Sequence, residues 1–317
     1  MRKRSIRNPS GNRLPAGIEA DELRAAINKS GYPLQARVAA QLEGSFSVIE
    51  EWGYIDRESK ETRSLDINAY HLLPVSPSNV YHPSLNLLIE CKRSDLPFVF
   101  FESAVGRANR DYPRVVALGP RPLKLISGTG SLNVRPSEFL ALHELDFVSE
   151  GPRLSRSFSR IDRVGKRLDL SGQVIYREIM LPLISALTHW EGIRNVPLST
   201  VRAQYFPAIV LAVCVVDGPM IAVSGPPAKS VIEPSPWVRV MRQEAFSKDN
   251  KVAYRHFTVD FVHADFLETF ISEHVLPFMV GTVDRMEQGK NLIETGEGRV
   301  TNWQKWSWDE LISSQQR

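Results

Sequence analysis

Three residues of this 317-residue chain, Asp66, Glu90 and Lys92, have the types and the spacing to do chemistry together. Glu90 and Lys92 end the run Leu85-Asn86-Leu87-Leu88-Ile89-Glu90-Cys91-Lys92. Its apolar length, bounded by Pro83 and by Ser94-Asp95, fits a buried strand. Side chains alternate across a sheet, so Leu88, Glu90 and Lys92 share one face and Leu87, Ile89 and Cys91 the other. A carboxylate and an ammonium at the tip of a hydrophobic strand are costly to bury unless they are paired or bind a metal. Asp66 stands in Arg63-Ser64-Leu65-Asp66-Ile67-Asn68-Ala69-Tyr70. The spacing there predicts a strand with Leu65, Ile67 and Ala69 on one face and Asp66 and Asn68 on the other. If the two strands pair, Asp66 lies beside Glu90. Taken alone, the strand end reads as a structural Glu–Lys pair. Two carboxylates converging with a lysine suit metal-assisted phosphodiester hydrolysis. Oxygen ligands suit Mg²⁺ or Mn²⁺, which also bind phosphate oxygens. The metal polarises the phosphoryl group and acidifies a water, while the lysine orients that water or offsets developing charge.

Asp66, a gap of about two dozen residues and then Glu90-Cys91-Lys92 resemble the signature of the PD-(D/E)xK, restriction-endonuclease-like nucleases. The resemblance spans roughly residues 30–217. It rests on both halves of the motif falling at strand positions with matching faces; Leu65, not proline, precedes Asp66. It implies an α/β protein, a three-layer α/β/α fold with a mixed central sheet, extended by C-terminal strands and a helix. It further implies Mg²⁺ or Mn²⁺ held by Asp66, Glu90 and the main-chain carbonyl of Cys91, with Lys92 assisting the attacking water. Gln35 matches the position where many members carry a glutamate on their first helix. The implied substrate is nucleic acid, DNA ahead of RNA, and a bacterial defence nuclease is the setting that analogy suggests. One rival is a nuclease-fold module that binds nucleic acid or a partner protein without cutting, which the neutral amide of Gln35 favours. Another is a structural subunit of a larger complex, which Trp303, Trp306 and Trp308 in the tail favour.

Elements must position these groups. A helix is expected from Ile18 to Lys29, ended by Gly31, and a second is opened by Pro33 in its first turn. In that second helix Leu34, Val38, Ala39 and Leu42 make the buried stripe, with Gln35 inside it and Glu43 at its edge. Ser45 to Ile55 reads as the first strand. The loop from His71 to Ser84 contains His82, more simply solvent-facing than a ligand. Phe98 to Phe101 continues the core, and Arg107, Arg110 and Arg114 are expected to edge the cleft. Residues 115–168 read as an insertion. At its end Arg153, Arg156, Arg160, Arg163 and Arg167 recur every three or four residues, which would align them along one helix face for phosphate contacts or as a solvated stripe. Ser171, a candidate N-cap, opens an amphipathic helix to Trp190. Phe206 to Val216 is a nearly all-apolar central strand, and strand, helix, strand predicts parallel pairing. A Pro-rich loop, a strand from Tyr254 to Phe261 and a helix from Asp265 to Met279 complete the reading. The expected division is a basic arm over 1–16, one nuclease-like domain over 17–286 and a polar tail over 287–317.

Composition bounds the rest. A 43 % hydrophobic and 24 % charged content is that of an ordinary globular protein. A net charge of +3 leaves any nucleic-acid footprint to local clustering. Cys91 and Cys214 stand in apolar runs and read as reduced core residues, without zinc spacing. The basic Met1-Arg2-Lys3-Arg4-Ser5-Ile6-Arg7 lacks the apolar stretch of a secretory signal. The longest apolar run is too short to span a bilayer. A soluble cytoplasmic protein without a membrane partner is expected, with a homo-oligomer or a protein partner left open. Glycine-rich phosphate loops and His-Glu-x-x-His are missing from the sequence.

Overall fold

The computed structural model describes residues 8–56, 59–73, 82–103, 112–119, 121–194, 206–248, 251–303 and 305–314. Arg107, Arg110 and the basic segment 1–7 lie outside them. Helix α1 (Ala20–Lys29) buries none of its side chains. Helix α2 (Tyr32–Leu42) starts at Gly31 with Pro33 in its first turn, where a missing N–H costs nothing. It buries Leu34, Gln35, Val38, Ala39 and Leu42, the stripe expected from the sequence, and leaves Glu43 exposed.

Strands β1 (Ser47–Ile55), β2 (Thr62–Leu72) and β3 (Ser84–Arg93) form an antiparallel meander. Beside β3 lies β10 (Ala208–Asp217), parallel to it from Ala208↔Ser84 to Asp217↔Arg93. Both are almost wholly buried, which accounts for their continuous apolar sequences. The sheet continues from β10 through β14 (Lys251–His263), β13 (Trp237–Lys248), β8 (Leu154–Val164), β4 (Phe98–Glu102) and β11 (Met220–Ser224) to β12 (Val231–Pro234). The protein is therefore mixed α/β, built on one large mixed sheet. Strand β13 follows the Pro-rich loop and was not foreseen.

Successive residues of the central strands enter two different hydrophobic clusters. Ile89, Leu211 and Val213 pack with Leu34 and Val38 of α2 and with Phe278 and Met279 of helix α4 (Leu276–Gln288). Leu88, Ala212 and Cys214 pack with Ile179 and with Leu183 and Leu187 of helix α3 (Leu181–Arg194). Each of these helices is preceded by a π-helical turn, Tyr176–Met180 before α3 and Phe270–Val275 before α4. Pro182 and Pro277 explain the placement, because a proline donates no N–H and the regular i→i−4 ladder breaks in the turn before it.

Three expectations change here. The arginine-rich segment is not a helix but a hairpin of β8 with β9 (Arg167–Leu170), turned at Gly165 (φ +64°). Ser155 diverts its hydroxyl to the main-chain carbonyls of Phe101 and Ser157, the local competition that disfavours helix. Ser171 does not cap a helix with its side chain; its hydroxyl donates to the Asp162 carboxylate. The stretch 115–168 supplies β8 to the main sheet. It also supplies β6 (Lys124–Ser127) and β7 (Gly130–Asn133) to a small sheet completed by β15 (Glu297–Arg299) of the tail. That tail is packed, with Leu292, Val300, Trp306, Trp308 and Leu311 buried in the α2–α4 cluster. Among the described residues no helix is long and apolar enough to cross a membrane.

Candidate active site

The site is built where β2 leaves β3. Their ladder runs to Ile67↔Ile89 and stops, so Asp66 and Glu90 stand one step beyond the last pair. On the far side of β2, Glu50↔Ile67 and Trp52↔Leu65 bracket Glu51, which adopts a left-handed φ of 49°. A glutamate in that region costs roughly 1 kcal/mol and re-aims the strand. The consequence is legible in the packing: Ile67 and Ala69 join the α2 cluster, whereas Leu65 joins the α3 cluster. The uniform alternation expected for Leu65, Ile67 and Ala69 is therefore broken at Asp66. Its carboxylate turns into the plane of the sheet, and Oδ2 accepts the N–H of Cys91 at 2.7 Å, taking the place of a ladder carbonyl.

Glu90 lies on the face of Leu88, opposite Cys214 of β10, and is 5 % exposed. Lys92 Nζ donates to Glu90 Oε2 at 2.7 Å. Burial pushes the Glu90 carboxyl up, Lys92 pulls it back, and the adjoining Asp66 pushes it up again, to about 7. Burial opposes the charge on Lys92, yet the Glu90 carboxylate and its hydrogen bond hold the ammonium above its ordinary value. A plain ion pair would lower the glutamate. Here burial and the second carboxylate outweigh the lysine, and the Glu90 carboxyl is held above the ordinary carboxylate range.

Cys91 turns its thiol into the α2 cluster and its N–H toward Asp66. In an extended strand the carbonyl of the same residue points to the same side. Gly31, at the start of α2, approaches that carbonyl: a Cβ placed there would stand 4.0 Å from it. The structure thus brings Asp66, Glu90, the Cys91 main chain and Lys92 to one point.

Gln35 reaches the same point from the α2 side, but not as expected. Its Nε2 donates to the main-chain carbonyl of Asp66 at 3.2 Å, while the Glu90 side chain projects from the other face of the sheet. His82 stacks on Phe206 with ring centroids 5.4 Å apart, beyond the opposite end of β3, roughly 25 Å away by strand rise. Among the described residues no group of three or more His, Cys, Asp or Glu side chains could hold a metal. Any cation at this point would rest on two carboxylates and a carbonyl.

The arginines do not form one surface. Arg153 is bound to Glu102 and Glu233, each at 2.6 Å, Arg160 to Asp162 at 3.1 Å, and Arg167 to Asp169 at 2.9 Å. Strand β8 bulges at Arg156, where Phe101↔Ser157 is followed by Glu102↔Ser155, so the arginines before and after it do not keep one face. Arg114, expected at the cleft edge, begins the short strand β5 (Arg114–Val116) beside β10 and is buried and paired with Glu191 at 3.3 Å. Sequence reasoning missed Tyr54, Trp52 and His189, which pack together on the Glu90 face. The period-two spacing of Trp52 and Tyr54 in a strand carried a signal for the first two.

Comparison with family models, with curated proteins and with solved structures found no match to this chain.

Proposed function

We propose that the chain is a metal-dependent nuclease of the PD-(D/E)xK type, with a restriction-endonuclease-like α/β/α core, acting on DNA in preference to RNA. The observation that carries this reading is the fork at which the Asp66 carboxylate, the Glu90–Lys92 pair and the Cys91 main chain meet on adjacent strands. Two oxygen-bearing side chains in contact, one of them pushed up to about 7 by burial and by the other, are a donor set that suits a hard divalent cation. Asp66, Glu90 and the Cys91 carbonyl would hold it, and when bound it supplies polarisation of the phosphoryl oxygen and a more acidic water. A cation held by the Glu90 carboxylate would compete with Lys92 for it and would leave the ammonium available to the phosphate and the attacking water. The Cys91 N–H fixes the Asp66 carboxylate, and Gln35 fixes the strand behind it. The phosphate-binding role expected of the arginines belongs to the same proposal for Arg156, Arg160, Arg163 and Arg167, whereas Arg153 is held by Glu102 and Glu233.

The neutral hydrogen-bonding role of Gln35 and the presence of only two carboxylates favour one alternative, a nuclease-fold module that binds nucleic acid or a protein without cutting. Incubation with plasmid, linear DNA and RNA, each with Mg²⁺, Mn²⁺ or EDTA, separates the two. The nuclease reading expects cleavage that EDTA stops and that Asp66→Ala, Glu90→Ala and Lys92→Ala each abolish with unchanged circular dichroism. Cleavage at the wild-type rate in any of the three sinks it. Binding without cleavage under every metal condition selects the alternative.

A further inference from the structure

Tyr54 takes no part in the mechanism above, yet its hydroxyl is unexplained. The side chain is 1 % exposed, and its buried oxygen has no hydrogen-bond partner. A buried hydroxyl left without a partner costs about 1–3 kcal/mol, and such a group in a folded protein calls for an ordered water, an ion or a functional role.

Its placement narrows the choice. The Tyr54 ring belongs to the cluster of Leu65 and Leu88, the neighbours of Asp66 and Glu90, and so stands on the Glu90 face. Trp52 stacks on it at 6.2 Å and the His189 ring lies 6.4 Å away, so its orientation is held. Tyr54 pairs with Arg63, three residues before Asp66. Strand rise and strand spacing then put the Cα atoms of Tyr54 and Glu90 roughly 14 Å apart, with the Glu90 carboxylate near enough to act on the phenol. Burial pushes the phenol up, Arg63 pulls it down and Glu90 raises it, to about 12, so the hydroxyl is a donor at any working pH.

Resting on the nuclease reading of this site, we propose that Tyr54 is a positioning residue for Glu90. Its hydroxyl donates, through one ordered water, to the Glu90 oxygen that does not hold Lys92, and so fixes the carboxylate for a divalent cation. A water there gains a donor and an acceptor among buried polar groups, the condition for buried water to be retained.

Tyr54→Phe removes one oxygen and tests this directly. Mn²⁺ binding is followed by the electron paramagnetic resonance of the free ion, without nucleic acid, beside thermal unfolding in EDTA. The expected result is a melting temperature close to wild type, because the ring still packs and the bridging water leaves with the hydroxyl, with Mn²⁺ bound about 3- to 10-fold more weakly. Cleavage should fall in kcat with an unchanged KM for nucleic acid. Unchanged Mn²⁺ affinity overturns the proposal, as does loss of the fold, which would make the hydroxyl structural. Asp66→Asn separates the two levels. If wild type binds Mn²⁺ no better than Asp66→Asn, the nuclease reading itself fails. If wild type binds better and Tyr54→Phe matches wild type, only the role of Tyr54 fails.

Discussion

Replacing Glu90 with glutamine removes a charge and almost no volume, and its effect on stability has a sign that depends on what Glu90 is. The folded carboxyl stands at about 7, against an ordinary value of 4.5. Between those two pH values the unfolded chain gives up this proton and the folded chain keeps it. The wild type therefore loses stability as pH rises through the window, by about 1.4 kcal/mol per unit. Over the whole interval the loss is on the order of 3 kcal/mol, and above pH 7 both states are ionised and the slope ends. The buried site is little screened, so the effect is expected near full size. Glu90→Gln has no proton to lose and lacks the slope. Urea unfolding of the metal-free proteins in EDTA, from pH 4 to 8.5, reads the difference between wild type and variant. That difference should fall with rising pH. An ordinary salt bridge with Lys92 would depress the glutamate and make the same difference grow. A flat or rising difference refutes the reasoning. Mn²⁺ requires the ionised carboxylate, so it should stabilise the wild type more at pH 8 than at pH 6, and the variant little at either.

Gln35→Glu withdraws the N–H that the Asp66 carbonyl accepts and buries a carboxylate against that oxygen. It should destabilise by about 1–3 kcal/mol without tightening Mn²⁺ binding, while exposed Glu43→Gln changes neither; tighter Mn²⁺ binding in Gln35→Glu would restore it as a ligand position. Arg153 is already held by Glu102 and Glu233. Arg153→Gln should therefore leave the salt dependence of nucleic-acid binding unchanged, and a drop of roughly 0.9 in the log–log slope would show that it leaves them for phosphate.

The sequence was most readable where pattern and burial coincide. The α2 stripe followed from periodicity, the two all-apolar strands from their burial on both faces, and their parallel pairing from the helix between them. Asp66, Glu90 and Lys92 were legible for the opposite reason: charge at the end of a buried strand conflicts with its surroundings. The arginine segment failed because a spacing of three or four is also met in a strand whose hydroxyls hold their own main chain. Gln35 was placed on the right helix face. Its partner was not, because helix phase tells where a side chain points and not whether it meets a carboxylate or a carbonyl. Strand β13 was missed because Arg239, Arg242 and Gln243 interrupt its alternation. Arg239 enters the interior because Asp260 accepts its Nε–H at 2.9 Å from β14, a partner 21 residues away in sequence, and the Phe147 carbonyl accepts a second N–H.

The turn of β2 at Asp66 explains why these particular residues meet. Had Asp66 followed the alternation of its strand, its carboxylate would have left the sheet on one face and the Cys91 N–H would have been met by a ladder carbonyl. Glu51, in a left-handed conformation directly across β1, makes the strand change faces there, and the carboxylate falls into the plane where the ladder ends. That places Asp66 close enough to raise Glu90, which in turn keeps Lys92 charged at its side. The Lys92 ammonium on Glu90 and the Cys91 N–H on Asp66 are what let these groups lie at the end of a buried strand. On the nuclease proposal, a cation would have to displace a proton from Glu90, whose carboxyl burial pushes up. Binding should therefore release protons near pH 7, and the backbone strain at Glu51 is part of what holds that balance.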